Sequence, residues 1–194
     1  MSELTDALDD LLDAHAEIGS PLPSCVRRPG PAGAAIRSAF AAIGVSPPAD
    51  VVDWFGWGEP DRPAWTNAGA IGAISFFWFG CPMSVSEAVR THGEFEADFG
   101  WTTQSMSDPE WGSLWLPILW GSPDIFVADC SDPGRGSASV RRIENAPTDG
   151  PAAPEIFPSL VELIRAASRQ VRTLLMWDGE SLQPRGDLPH IEDT

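Results

Sequence analysis

Apolar residues recur along the chain first at helical spacing, then in short strand-like runs, and finally at helical spacing again. In the first twenty residues the apolar positions share one helical face, with Asp and Glu on the other: Leu4, Leu8, Leu11, Leu12 and Ile18. This pattern predicts an amphipathic helix that Gly19 and Pro21 end. A second helix is predicted over residues 32–43, with Gly44 placed to cap its C-terminus.

The middle of the chain predicts two more helices and a buried strand. In "SPPADVVDWFGWG" the prolines suit the first turn of a short helix, and aromatic residues crowd its end. The apolar run "AIGAISFFWFG" at 70–80 predicts a strand. The segment 84–99 then predicts a helix, because Ser84 and Glu87 have the spacing of a capping box.

Three strand-like runs follow at 113–120, 124–129 and 137–144, and the "GSP" and "CSDPGRG" segments that join them have turn chemistry. They predict an antiparallel meander. Ser159 and Glu162 repeat the capping-box spacing at the start of a long helix with one apolar face. We therefore predict an α+β fold, an antiparallel β-sheet meander with helices packed mainly on one face.

The same pattern divides the chain into an N-terminal amphipathic helix (1–19), a single α+β domain (20–177) and a polar C-terminal tail (178–194). The polar residues of this tail predict either a short strand or a frayed end. It leaves open whether the first helix joins the domain or forms a separate docking element. The N-terminal residues lack the basic start and apolar core of a signal peptide. No apolar run reaches the roughly 20 residues that a membrane-spanning helix needs. We expect a cytoplasmic protein.

The net charge of −16, with arginine as the only basic residue type besides three histidines, limits the partners. An acidic surface repels nucleic acid and anionic lipid, so we expect neither as a partner. It attracts basic proteins and speeds their association. Solubility alone is also a sufficient explanation of this charge.

Motifs for catalysis or cofactor binding are not found in the sequence. Three cysteines without CxxC spacing predict neither a disulfide framework nor a zinc site. There is no GxSxG motif, and the glycine-rich "GPAGAA" and "DPGRGS" lack the spacing of a dinucleotide loop and the lysine of a P-loop. We interpret His92 as a residue near a helix C-terminus, favourable beside the negative end of the dipole. We expect no catalytic residue, metal or cofactor.

Asp124, Asp129 and Asp132 lie close together in "DIFVADCSDPGRGS" and raise the question of a carboxylate cluster. Strand periodicity places Asp124 and Asp129 on opposite faces, and Asp132 stands where an Asx-turn favours Asp before Pro-Gly. We interpret all three as hairpin residues. A carboxylate pair for glycoside hydrolysis among residues 94–110 is an alternative, although nothing in the sequence fixes a pair.

The order of these segments, over roughly residues 20–175, resembles the SUKH superfamily, which includes a fungal cell-wall-synthesis regulator and many bacterial immunity proteins. The resemblance lies in a Pro-Pro helix, a Trp-x-Pro-Ile strand, an Asp-ended strand, a Gly and Val strand and a closing helix: Pro47, Pro48, Val51, Trp54, Trp115, Pro117, Ile118, Asp129, Gly136, Val140, Phe157, Ser159 and Leu160. It implies an α+β fold without catalytic residues, and a function as an immunity protein that binds a toxin domain, often a nuclease.

A nuclease that grips phosphates is basic, so an acidic inhibitor complements it and associates quickly. We therefore expect a cognate protein toxin, or another basic protein, as the partner. Loop tryptophans beside carboxylates are the candidate contacts, because Trp buries a large area at small entropy cost. These partner-binding candidates are Trp57, Glu59, Asp61, Trp65, Asp108, Glu110, Trp111 and Asp124. A regulatory or scaffold module and a carboxylate-dependent hydrolase are the two alternatives.

Overall fold

The computed structural model describes residues 2–61, 80–99, 113–121, 124–132, 134–143 and 154–186. Helices in these ranges are α1 (Glu3–Glu17), α2 (Gly33–Ala41), α3 (Ala49–Trp57), α4 (Val85–Phe99) and α5 (Leu160–Leu174). The strands there are β1 (Val26–Arg27), β2 (Glu59–Pro60), β3 (Cys81–Pro82), β4 (Trp115–Trp120), β5 (Ile125–Asp129), β6 (Ser139–Ile143), β7 (Glu155–Phe157), β8 (Leu175–Trp177) and β9 (Leu182–Pro184). The predicted strand at 70–80 lies outside the described residues, except for Gly80.

Among the described residues, the largest sheet has five strands in the order β3-β4-β5-β6-β7, and each neighbouring pair is antiparallel. The predicted α+β fold and its meander are therefore confirmed. The register of β4 against β5 shifts between Pro117 and Leu119. Proline has no N–H to donate to a strand ladder, so it is found in sheets at irregularities of this kind.

The sheet contributes a line of side chains to the core. Leu116, Ala128 and Val140 are neighbours in register across β4, β5 and β6, and all three are fully buried. Helix α5 adds the apolar face that the sequence predicted: Leu160, Leu163, Ile164, Ala167 and Val171 are buried. The sheet and helices thus share one hydrophobic core.

The N-terminal helix belongs to this core. Leu4, Leu8 and Leu11 of α1 are at most 2% exposed and lie in the same apolar cluster as the sheet. Helix α1 also packs along α5. It is therefore an integral part of the domain and not a separate docking element.

The predicted polar tail begins with ordered structure. Strand β8 follows α5 without a break and pairs with β9, and Leu182 of β9 is 5% exposed and belongs to the core. The turn between the strands needs a glycine, since Gly179 has φ of 104°. Residues 178–186 thus complete a hairpin packed on the domain, so the short strand that the sequence allowed here is present as β9. Residues 187–194 lie outside the described part.

Both predicted capping boxes begin a helix. The Ser84 N–H donates to Glu87 Oε2 at 2.9 Å, and Glu87 N donates back to Ser84 Oγ at 3.3 Å. At the start of α5, Glu162 N donates to Ser159 Oγ at 3.2 Å. These bonds satisfy backbone donors that have no partner within the helix.

Candidate protein-binding site

A short ribbon of two strands lies beside α1 and the end of α3. Val26 pairs with Pro60 and Arg27 with Glu59 in antiparallel register. The segment after β1 then approaches α3 so closely that a Cβ on Gly30 would lie 2.4 Å from a carbonyl oxygen of that helix. Gly30 N donates to the Gly56 carbonyl at 3.1 Å. The ribbon is therefore fixed to the C-terminal end of α3.

Trp57 joins three segments of this region. It is the last residue of α3, and its indole Nε1–H donates to Asp9 Oδ1 on α1 at 2.7 Å. The guanidinium of Arg28 lies 4.6 Å from the centre of the Trp57 ring, and its Nη2 lies 2.7 Å from the same Asp9 oxygen. Trp57 is only 6% exposed. The structure thus corrects the expected loop position: the ring is buried by packing, by Asp9 and by Arg28.

Glu59 and Asp61, expected in a loop, lie at the ribbon. The side chain of Glu59 is 22% exposed and forms an ion pair of 2.5 Å with Arg27, whose side chain is 67% exposed. Asp61 follows β2 directly, and its backbone N–H donates to the Cys25 carbonyl at 2.8 Å. Both candidates are therefore held on the same small surface as Trp57.

A pocket opens next to the ribbon. Its empty volume is about 270 Å³ out to its open mouth, and it is lined by Leu8, Val26, Trp54, Trp57, Gly58, Glu59, Pro60, Pro82 and Met83. The walls are almost entirely apolar, and Glu59 is the one carboxylate in the lining. The free space inside it is about that of one water molecule, so it is a depression in the surface and not an enclosed ligand site.

The aspartates of the meander do not form a cluster. Arg141 and Arg142 are adjacent on β6 and so point to opposite faces of the sheet. Arg141 pairs with Asp129 at 2.8 Å, and Arg142 pairs with the predicted contact Asp124 at 2.8 Å. Burial opposes the ionisation of Asp129, but hydrogen bonds from a nearby serine and Arg141 outweigh it and hold its pKa below the ordinary value.

The third aspartate occupies the predicted turn. Asp132 Oδ1 accepts a hydrogen bond from Gly134 N at 3.0 Å, and Arg135 N donates to the Asp132 carbonyl at 3.1 Å. These are the bonds of an Asx-turn and the β-turn that follows it. The interpretation of Asp124, Asp129 and Asp132 as hairpin residues is confirmed. Within the described ranges, no group of three or more His, Cys, Asp or Glu residues could hold a metal ion.

One exposed aromatic residue was not among the candidates. Trp120 is the last residue of β4 and is 50% exposed. It pairs with Ile125, the residue that follows Asp124. The sequence signal was weak, because Trp120 closes an apolar run in which most side chains are buried. Its position just before the "GSP" turn is the only feature that could have identified it.

The outer surface of α1 is a second acidic feature. Carboxylates recur every three or four residues along it: Glu3, Asp6, Asp10, Asp13 and Glu17 are all exposed. Arg165 of α5 reaches Glu3 at 2.8 Å, and Arg172 reaches Asp10 at 2.8 Å. Hydrogen bonding to Arg172 is the main reason that the pKa of Asp10 lies below its ordinary value. We call these five carboxylates the α1 stripe.

The histidines that the structure describes have structural roles. His15 is fully buried, with Nδ1 3.1 Å from Ser20 Oγ. His92 is 7% exposed, and its Nε2 donates to the Ser113 carbonyl at 3.0 Å. The predicted position of His92 near a helix C-terminus is wrong, because α4 continues for two more turns to Phe99. Its ring instead connects α4 to the segment before β4.

Two further buried groups bear on chemistry. Burial raises the pKa of the Cys130 thiol to about 12, with the charges of Asp50 and Asp129 adding to the effect, so this thiol stays protonated at neutral pH. Asp50, at the start of α3, accepts hydrogen bonds from Ala138 N at 2.9 Å and Val51 N at 2.8 Å. Asp50 thereby ties α3 to the residues that precede β6.

Half of the predicted contacts fall where the structure describes the chain. Trp57, Glu59 and Asp61 lie together at the ribbon, whereas Asp124 lies at the β4–β5 turn. Trp65, Asp108, Glu110 and Trp111 are outside the described residues. In the described ranges, no helix is long and apolar enough to cross a membrane.

These elements define an α+β protein whose described surface carries an ion-paired ribbon, a small apolar pocket and an acidic helix. A scan against protein-family models finds no match, and no curated protein matches the chain. The surfaces themselves therefore have to indicate what the chain binds.

Proposed function

We propose that this chain is a non-enzymatic, cytoplasmic immunity protein that binds a cognate bacterial toxin, such as a basic nuclease domain, and neutralises it by covering its active site. The observation that carries the proposal is the charge imbalance on α1. This helix has six carboxylates and no Arg or Lys, and in the described part of the chain three arginines pair with it: Arg28, Arg165 and Arg172. Three negative charges are left over.

The geometry of the α1 stripe suits a basic surface. Glu3 and Glu17 are fourteen residue steps apart, which is about 21 Å at 1.5 Å per residue. Neighbouring carboxylates on one helix face lie about 5–6 Å apart at their Cβ atoms. A rigid row of negative charges at this spacing can face several arginines or lysines of a partner at once.

Helix stability explains the acidic residues in the first turn of the stripe but not Asp13. Asp6 lies in the first turn, where the helix dipole favours a negative charge. Asp13 lies near the other end, among Asp9, Asp10 and Glu17, and neighbouring like charges destabilise a helix. Asp13 has no ion pair in the described part of the chain. A basic partner protein that binds α1 would explain why the unpaired carboxylate of Asp13 is present.

Other observations agree with a protein partner. An acidic surface disfavours nucleic acid and anionic membranes, and it raises the association rate of a basic protein. The histidines and Cys130 that the structure describes are buried and bonded, so none is offered for catalysis. The resemblance of the segment order to the SUKH immunity proteins points to the same class of partner.

The test is a pull-down from the source cells with the full chain as bait, at low and high salt, followed by mass spectrometry. We expect one basic domain of a larger toxin, lost at high salt because screening weakens the attraction. The association rate of the purified pair should fall as salt rises. Recovery of cytoplasmic regulators or cell-wall enzymes without a toxin would overturn the proposal and favour a scaffold function.

A pair of double variants assigns the binding to α1. Asp6→Asn with Asp13→Asn removes two unpaired charges of the stripe. Glu155→Gln with Glu180→Gln removes two exposed charges elsewhere, and neither has an ion pair in the described ranges. We expect the first pair to lower the association rate more than the second. If the two double variants associate with the toxin at the same rate, then α1 is not the binding surface.

A further inference from the structure

We draw no further inference here: the strongest candidate, the surface patch at the β4–β5 turn where Trp120 is 50% exposed, carries none because nothing in the described part of the chain shows what covers it.

Discussion

The hydrogen bonds of Asp50 give the most direct test of how the helices are attached to the sheet. Asp50→Ala leaves two donors without an acceptor, the N–H groups of Ala138 and Val51, and both residues are at most 1% exposed. An unsatisfied buried donor costs about 1–3 kcal/mol, and a lost contact at a helix start about 1 kcal/mol. Burial raises the pKa of Asp50, so removing this carboxylate also relieves a penalty. We expect a net loss of about 2–3 kcal/mol in the free energy of unfolding.

Urea unfolding followed by circular dichroism measures this loss. Asp53→Ala is the control, because Asp53 lies on the same helix and has no hydrogen bond or ion pair in the described part of the chain. A surface substitution of this kind changes stability by less than about 0.5 kcal/mol. If Asp50→Ala is as stable as Asp53→Ala, then the Asp50 bonds do not hold α3 to the sheet and the reasoning fails.

The raised pKa of Asp50 adds a pH dependence whose sign can be worked out. Between the ordinary pKa of 3.8 and the higher folded value, the folded protein binds more protons at Asp50 than the unfolded chain does. The stability that Asp50 contributes therefore falls as pH rises through this window. The difference in the free energy of unfolding between wild type and Asp50→Ala should be larger at about pH 4 than at pH 8. A difference that grows with pH would contradict the raised pKa.

Four other substitutions or treatments test single contacts. Leu11→Ala should destabilise the protein by about 2–5 kcal/mol if α1 is part of the core, and a loss below about 1 kcal/mol would show that it is not. Trp57→Phe keeps a smaller aromatic ring but loses the bond to Asp9 and leaves space at a buried position, so at least about 1 kcal/mol should be lost in urea unfolding. Asp13→Asn should gain roughly 0.3–0.5 kcal/mol by reducing repulsion on α1, and a loss would contradict this. Cys130 should resist thiol reagents at pH 8 in the folded protein and react after unfolding, as mass spectrometry of the modified peptide would reveal.

Features that depend on neighbouring residues could be predicted from the sequence. The capping bonds of α4 and α5 join residues three positions apart, and the Asx-turn bond of Asp132 joins residues two positions apart. The meander was predictable because its strands follow one another with turn sequences between them. In each case the chemistry that decides the structure lies within a few residues.

Contacts between segments far apart in the sequence determine which of these side chains are buried, and these contacts could not be predicted. The sequence predicted Trp57 to lie in a loop, whereas in the fold its indole donates a hydrogen bond to Asp9, 48 positions earlier. Ala138, one of the two hydrogen-bond donors to the Asp50 carboxylate, is 88 positions away. Burial of a polar residue depends on such partners, and no spacing rule encodes them. The sequence therefore indicated the ribbon candidates by composition but could not tell that Trp57 is buried while Trp120 is exposed.

The distribution of arginines connects the fold to the proposed function. In the described ranges most arginines already pair with a carboxylate, and those at Arg165 and Arg172 hold α1 against α5 across 155 to 162 positions of sequence. These pairs serve the fold, since they offset repulsion within α1 while its apolar face is buried. They leave Asp6 and Asp13 on the outside. A fold that needed only stability would gain by neutralising Asp13 as well, so the charge that remains favours a partner that is itself basic.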